Sequence, residues 1–273
     1  MAGTDGSWLP DVARKRLARF REVGLKTSLL PVSGAVGVES VGLRPVGEVM
    51  GCIVQNIGWT GGLGYGMGGF IGSVSFAPYV NALYHGYDTA LARMTTEAAG
   101  MNADGVVGIR LTRTGLSENS QEFMALGTAV RADSTRRPRS LFTTDLPGQD
   151  VAKLMRAGWV PTRIAIGIAV ESQFLDWQSR SQMSVMARNS EVDAYTQLIN
   201  RTRAASRQSF ARHARDAGAD GAIVATMGLR SWHQDAANTP LLCAEATMFG
   251  TTISRFHAGR RAPAEALTIM PLR

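Results

Sequence analysis

Residues 102–112 read NADGVVGIRLT, and residues 218–228 read GADGAIVATMG. The two stretches align without a gap 116 positions apart, with Asp104 falling on Asp220. Self-similarity at a fixed offset marks an internal repeat, and it governs how the rest of the chain is read. The same offset lays TSLLPVSGAVGVESVGLRPVGEVMGCIVQ (27–55) on TTDLPGQDVAKLMRAGWVPTRIAIGIAVE (143–171). Gly42 then meets Gly158, Pro45 meets Pro161 and Gly51 meets Gly167. FMALGTAVRA (123–132) pairs with ATMFGTTISR (246–255) at an offset of 123, so the second copy carries seven extra residues around SWHQDAANTP. The chain divides into two related units, 27–132 and 143–256, with a basic linker at 133–142, an N-terminal segment 1–26 and a tail 257–273.

Each copy has the same predicted order. An apolar, β-branched segment comes first, GEVMGCIVQ in one copy and RIAIGIAVE in the other. A helix follows a variable stretch: Val80, Leu83, Tyr84, Tyr87, Leu91, Met94 and Ala98 recur at three- and four-residue steps. Gly100 stands where a helix end favours a left-handed residue. The second helix is predicted over about 191–217, with Tyr195, Leu198, Ile199, Thr202, Phe210 and Ala214 inward and Gly218 ending it. Two strands close each unit, DGVVGIRLT with EFMALGTAVRA and DGAIVATMGL with LLCAEATMFGTTIS. Strands and helices segregate, so the class is α+β: a small sheet packed on one main amphipathic helix, twice.

PVGEVMG (45–51), EAAGMNADGVVGIRL (97–111) and EFMALGTAV (122–130) resemble the YbjQ-like family, whose label names heavy-metal binding. The second copy resembles it through LFTTDLPGQDVAKLMRAGWVP (141–161) and ARDAGADGAIV (214–224). It departs where PVG-x-x-MG has become PTRIAIG (161–167) and GTAV has become GTTI (250–253). The resemblance implies a small α+β unit and assembly into pentameric rings, with no settled molecular function. Five is odd, so whole two-unit chains cannot fill five side-by-side positions. With ten-fold closure excluded, five chains would stack two five-unit rings, one per repeat; the alternative is a different ring size.

Gly64-x-Gly66-x-x-Gly69 spells a dinucleotide fingerprint inside GGLGYGMGG (61–69). Such a loop needs a strand before it and a helix opening at its last glycine, so that helix N–H groups face the pyrophosphate. Here FIGSVSFAPYV follows Gly69 before any predicted helix, and the second copy has RSQMSV at the corresponding place. A bound nucleotide is therefore not expected. Gly61, Gly62, Gly64, Tyr65, Gly66, Met67, Gly68, Gly69 and Phe70 read instead as a greasy, small-residue loop suited to crowding around a ring axis.

The metal-ligand inventory is Cys52, Cys243, His85, His213, His233 and His257, with no two spaced for one site. Cys52, Cys243 and His233 are the candidates, the last two if the second-copy insertion folds back. The two cysteines otherwise read as small buried hydrophobes in strands. No cofactor is expected. Hydrolase elbows and zincin helices are absent from the sequence. Asp104 and Asp220 read as turn residues bonding local backbone N–H groups, and Glu97 and Glu122 have no visible partner.

The N-terminal segment WLPDVARKRLARFREVGL predicts a basic amphipathic helix with Pro10 in its first turn. Trp8, Leu9, Leu17 and Phe20 supply an apolar side and Arg14, Lys15 and Arg19 a basic one, suited to docking on the protein itself, a partner or an anionic membrane surface. The excess of 29 basic over 22 acidic residues gives +7, but no nucleic-acid motif accompanies it, so nucleic acid is not an expected partner. No run of apolar residues long enough for a membrane span occurs, and no signal peptide is read at the start, so a cytoplasmic setting is expected, with peripheral membrane association as a variant. ALTIMPLR (266–273) reads as a short closing strand. The expected function is a non-enzymatic, homo-oligomeric ring scaffold or binding module. Heavy-metal binding and membrane association are the alternatives.

Overall fold

The predicted strand–helix–strand–strand order is realised twice. The structure is a computed structural model and describes residues 10–23, 27–57, 76–117, 119–135, 137–174, 181–182, 191–236, 239–256 and 270–271. The first unit contains β1 (Leu43–Asn56), α3 (Ala77–Gly100), β2 (Gly105–Gly115) and β3 (Ser120–Ala132), preceded by α1 (Asp11–Val23) and α2 (Val32–Glu39). The second contains β4 (Phe142–Thr143), α4 (Gly148–Arg156), β5 (Trp159–Phe174), α5 (Asp193–Asp216), β6 (Gly221–Ala236) and β7 (Thr239–Arg255), and β8 (Met270–Pro271) follows. The sheet orders are β1-β3-β2-β4 and β5-β7-β6-β8. Among the described residues the one parallel pairing is β2 with β4.

The repeat offset reappears as geometry. Gly51 lies where α3 crosses β1, and a Cβ there would meet Ala90 O at 2.0 Å and Met94 N at 2.5 Å. Gly167 lies where α5 crosses β5, and its Cβ would meet Ser206 O at 2.3 Å and Phe210 N at 2.7 Å. Each glycine therefore lets helix backbone rest directly on the strand. Leu83, Ala90, Met94 and Ala98 bury one face of α3, and Leu198, Thr202, Ser206, Phe210 and Ala214 bury one face of α5. One core cluster joins Val49, Leu83, Met94 and Phe123 of the first unit to Ile164, Ile166 and Ile168 of the second, so α3 is covered from both units.

Several local expectations shift. The left-handed residue after α3 is Asn102 (φ 54), not Gly100; its repeat partner Gly218 (φ 68) does the same after α5. Asn adopts that conformation because its short polar side chain tolerates it. Asp104 and Asp220 bond backbone N–H groups far along the chain, Ala132 N at 2.8 Å and Arg255 N at 2.9 Å, clamping the end of each unit's last strand. The seven-residue insertion lengthens the β6–β7 hairpin to strands of 16 and 17 residues, against 11 and 13 in β2 and β3. Of the two short helices, α2 carries no clear sequence signal, whereas α4 is amphipathic, burying Val151, Ala152 and Leu154 with Asp150 in its first turn and Lys153 and Arg156 in its last. Both follow a proline, Pro31 and Pro147, and they pack on each other through glycines. A Cβ on Gly148 would lie 2.3 Å from Gly34 O.

Candidate functional site

The most constructed feature of the molecule is the seam between its units. Residues 142–146 form a strap along the open edge of β2. Phe142 N donates to Asp104 O (3.2 Å), Thr144 N to Val106 O (3.0 Å), Ile109 N to Thr144 O (3.0 Å) and Gly108 N to Leu146 O (3.1 Å). Gly108 holds φ 66, which turns two successive N–H groups of β2 outward to the strap. Gly105 leaves the space in which the Phe142 ring lies. The strap is fixed to its own unit by threonines: Ile164 N donates to Thr143 Oγ1 (3.0 Å), Asp145 N to Thr251 Oγ1 (3.1 Å), and the hydroxyls of Thr144 and Thr251 are 2.8 Å apart. Thr251 also donates to the Asp145 carboxylate, and burial raises the pKa of that carboxyl.

The first unit repeats the strap's internal half. Leu29 N donates to Thr128 Oγ1 (3.0 Å), as Asp145 N does to Thr251 Oγ1, and Leu30 N donates to Ser28 Oγ (3.2 Å), as Leu146 N does to Thr144 Oγ1 (3.1 Å). Each unit therefore begins with a strap. Among the described residues, only the second unit's strap lies along a sheet edge within the chain.

Buried polar groups reinforce the seam. Tyr79 Oη on α3 donates to Glu245 Oε2 on β7 (2.8 Å), and Arg113 on β2 bridges to Glu245 Oε1 (2.6 Å). Burial, followed by the Glu245 charge, pushes the Tyr79 pKa up to about 12. Tyr84 Oη accepts from Ile168 N (2.9 Å) and meets Ser209 Oγ (2.8 Å). The Tyr87 ring stands edge-on to Phe123 of one unit and Phe249 of the other, with centroids 4.9 and 5.1 Å away. Together these groups tie α3 and β2 of the first unit to β7 of the second. A cleft of about 820 Å³ opens beside them, lined by Phe76, Val80, Tyr84, Glu171 and Arg212 among others.

The sequence-predicted residues are dispersed. Cys52 is half-buried on β1 opposite Met124, and Cys243 is fully buried on β7 opposite Trp232. Burial pushes the Cys243 thiol up to about 11. His233 pairs with Leu242, one residue along from Cys243, so alternation of side chains along the strand sends the two to opposite faces of the sheet. His233 instead meets the Tyr195 hydroxyl at 2.8 Å. Among the described residues no three His, Cys, Asp or Glu side chains converge. The glycine-rich residues Gly61, Gly62, Gly64, Tyr65, Gly66, Met67, Gly68, Gly69 and Phe70 lie outside the described residues, as do Trp8, Leu9, His257 and the side chains of Arg19 and Phe20. On α1, Leu17 is buried against Gly100, while Arg14 and Lys15 are exposed and Arg14 pairs with Asp11.

Glu97 corrects one expectation: it has partners and is fully buried. Arg16 Nε donates to its carboxylate at 2.7 Å and Met50 N at 2.7 Å, so α1 is pinned to the first unit by a charge pair. In the second unit Ile166 N reaches His213 Nδ1 at 3.2 Å in the same place. The offset of 116 links both pairs, so sequence alignment of the copies could have found them. The straps were missed because SLLPV and TDLPG carry no strand periodicity.

These features define a class: a tandem-repeat α+β protein whose two like units are joined by a main-chain strap. The family model described as "Putative heavy-metal-binding" (YbjQ_1) matches residues 38–133, within the first unit and its flank. The Encapsulin nanocompartment protein Rv1762c of Mycobacterium tuberculosis is 30% identical over 224 residues, covering 80% of this chain and 82% of that protein. UPF0145 proteins of Shewanella frigidimarina and Lactiplantibacillus plantarum are 30% and 34% identical. Their matches take 36% and 32% of this chain but 94% and 74% of the relative, so each corresponds to about one unit. The chain belongs to the YbjQ-like family and carries its unit in two tandem copies, the second divergent.

Proposed function

We propose that this chain is a non-enzymatic structural subunit that assembles with copies of itself into a closed ring and serves there as a scaffold or binding module. The observation that carries this reading is the strap joint. Two like units are held by a contact between unlike surfaces, an edge on one and a strap on the other. Contacts of that kind propagate, closing into rings when the rotation per step allows and running into filaments when it does not. The relative named as an encapsulin nanocompartment protein supports an assembly role. Because the units sit side by side, each chain adds two positions, so a ring of five chains would hold ten units, twice the five-unit ring that the family resemblance implies. Negative-stain images of the untagged protein test this: closed rings of uniform size are expected, and monodisperse single chains would overturn it.

Heavy-metal binding is the second reading, taken from the family description and from the place of Cys52 on β1, an outer strand of its sheet where a neighbouring chain could add ligands. Metal retained in stoichiometric amount by the wild type and lost in Cys52→Ser would bring that reading forward. Liposome binding that disappears when residues 8–23 are deleted would instead favour a membrane-associated assembly. No described helix is long and apolar enough to cross a membrane.

A further inference from the structure

The chain makes once a contact that its repeats are equipped to make twice. In the first unit the edge of β2 is covered: Ile109 is 4% exposed beneath the strap. Beyond the two rungs taken by β8, the matching edge of β6 has no partner strand among the described residues. Val224, the repeat partner of Gly108, is 40% exposed, and Ala225 and Thr226 are exposed beside it. Ala225 sits unpaired at an irregularity between Val224 and Thr226, where β2 has one between Val107 and Arg110, although Val224 does not share the positive φ of Gly108. An open strand edge is a template for a further strand.

Among the described residues, the complementary surface is uncovered as well. The first unit's strap, residues 27–31, is already held in strap form by Thr128 and Ser28. The helix behind it, α2, presents Val32 at 82% and Val36 at 60% exposure, whereas their repeat partners Gly148 and Ala152 are buried. Among the described residues, the first unit thus carries a strap that lies along no sheet edge, and the second an edge that takes no strap.

A third observation bears on the same edge. Met270 and Pro271 pair antiparallel with Ala222 and Gly221. These two positions are the repeat partners of Val106 and Gly105, the rungs that take Thr143 and Phe142 in the first unit. The first two rungs of the open edge are therefore competent to hold a strand, and the chain's own tail holds them.

Resting on the self-assembly reading, we propose that a second copy of this chain docks head to tail on the β6 edge, its residues 27–31 lying along Val224–Thr226, and that β8 is a displaceable cap on that edge. The fit is not identical to the internal seam. Asp150 and Lys153 stand on α4 where α2 has Gly34 and Gly37, so the incoming helix rides further out. The main-chain edge then carries the docking, and Val32 and Val36 close over it.

The test places a benzophenone amino acid at Val224 in the full chain, irradiates a mixture with nitrogen-15-labelled chain, and maps the cross-linked peptides by mass spectrometry. Interchain products within residues 27–36 are expected. They should disappear in Ala225→Pro, which removes the backbone N–H of an exposed residue at the centre of the docking edge, with circular dichroism confirming the fold. They should increase severalfold when the chain ends at residue 256. Interchain products elsewhere, or none from a protein that still forms multimers, overturn the docking surface while leaving self-assembly standing. Single chains at every concentration overturn both. An unchanged yield on truncation overturns the cap.

Discussion

The phenolic oxygen of Tyr79 lies 2.8 Å from the carboxylate of Glu245, a residue 166 positions away in the other unit. Glu245 is 2% exposed and also neutralises the largely buried guanidinium of Arg113. Removing one member of a buried pair costs more than replacing both, because the remaining charge stays desolvated. Glu245→Ala should therefore destabilise the chain by roughly 3–5 kcal/mol, while Glu245→Leu combined with Arg113→Met should recover most of that loss. Urea unfolding of the three proteins checks it. A loss in Glu245→Ala below about 1 kcal/mol, the scale of an exposed pair, would show that the seam does not depend on these charges.

Alkaline pH should weaken the fold in a defined window. Burial pushes both Tyr79 and Tyr87 from 10.0 up to about 12. A raised pKa means the folded state holds the proton more tightly than the unfolded chain. The associated stability is complete below pH 10 and is lost as pH rises towards 12. Unfolding free energies measured from pH 9 to 12 should fall accordingly, and Tyr79→Phe or Tyr87→Phe should flatten the fall. A slope unchanged in both variants would contradict the burial of these rings.

The helix crossings predict matched sensitivities. Gly51→Ala and Gly167→Ala each force a methyl group into helix backbone and should cost about 3 kcal/mol or more in thermal or urea unfolding. Gly115→Ala, where a Cβ would meet nothing within 4 Å, should be nearly neutral. Equal tolerance at all three would mean the helices do not rest on the strands as described.

The two thiols should separate kinetically. Cys243 is fully buried with its thiol pushed up to about 11, whereas Cys52 is half-buried. The thiolate is the reactive species, so a thiol reagent at pH 8 should label Cys52 well before Cys243. Cys243 should react only as the chain unfolds. Labelling of Cys243 in the Cys52→Ser protein at the rate of a free thiol would contradict its position.

The repeat carried most of the fold. One offset placed Gly51 on Gly167 and Asp104 on Asp220, and each pair occupies the same structural position. What escaped detection was held by tertiary contact rather than by local pattern. Gly34 and Gly37 disfavour a helix by propensity, yet α2 forms because α4 packs closely onto those glycines. Glu97 looked unpaired because Arg16, 81 residues earlier, sits on a helix of its own. The straps were invisible because four main-chain hydrogen bonds define the joint, and backbone bonding leaves little trace in side-chain identity.

The central claim is that the internal joint is repeated between chains. Native mass spectrometry of the untagged full-length protein, with and without chelator, tests it most directly. The account predicts one dominant assembly of a fixed number of chains, unaffected by chelator and dispersed by Ala225→Pro. A single-chain mass across the concentration range, or an assembly that Ala225→Pro leaves intact, would contradict it.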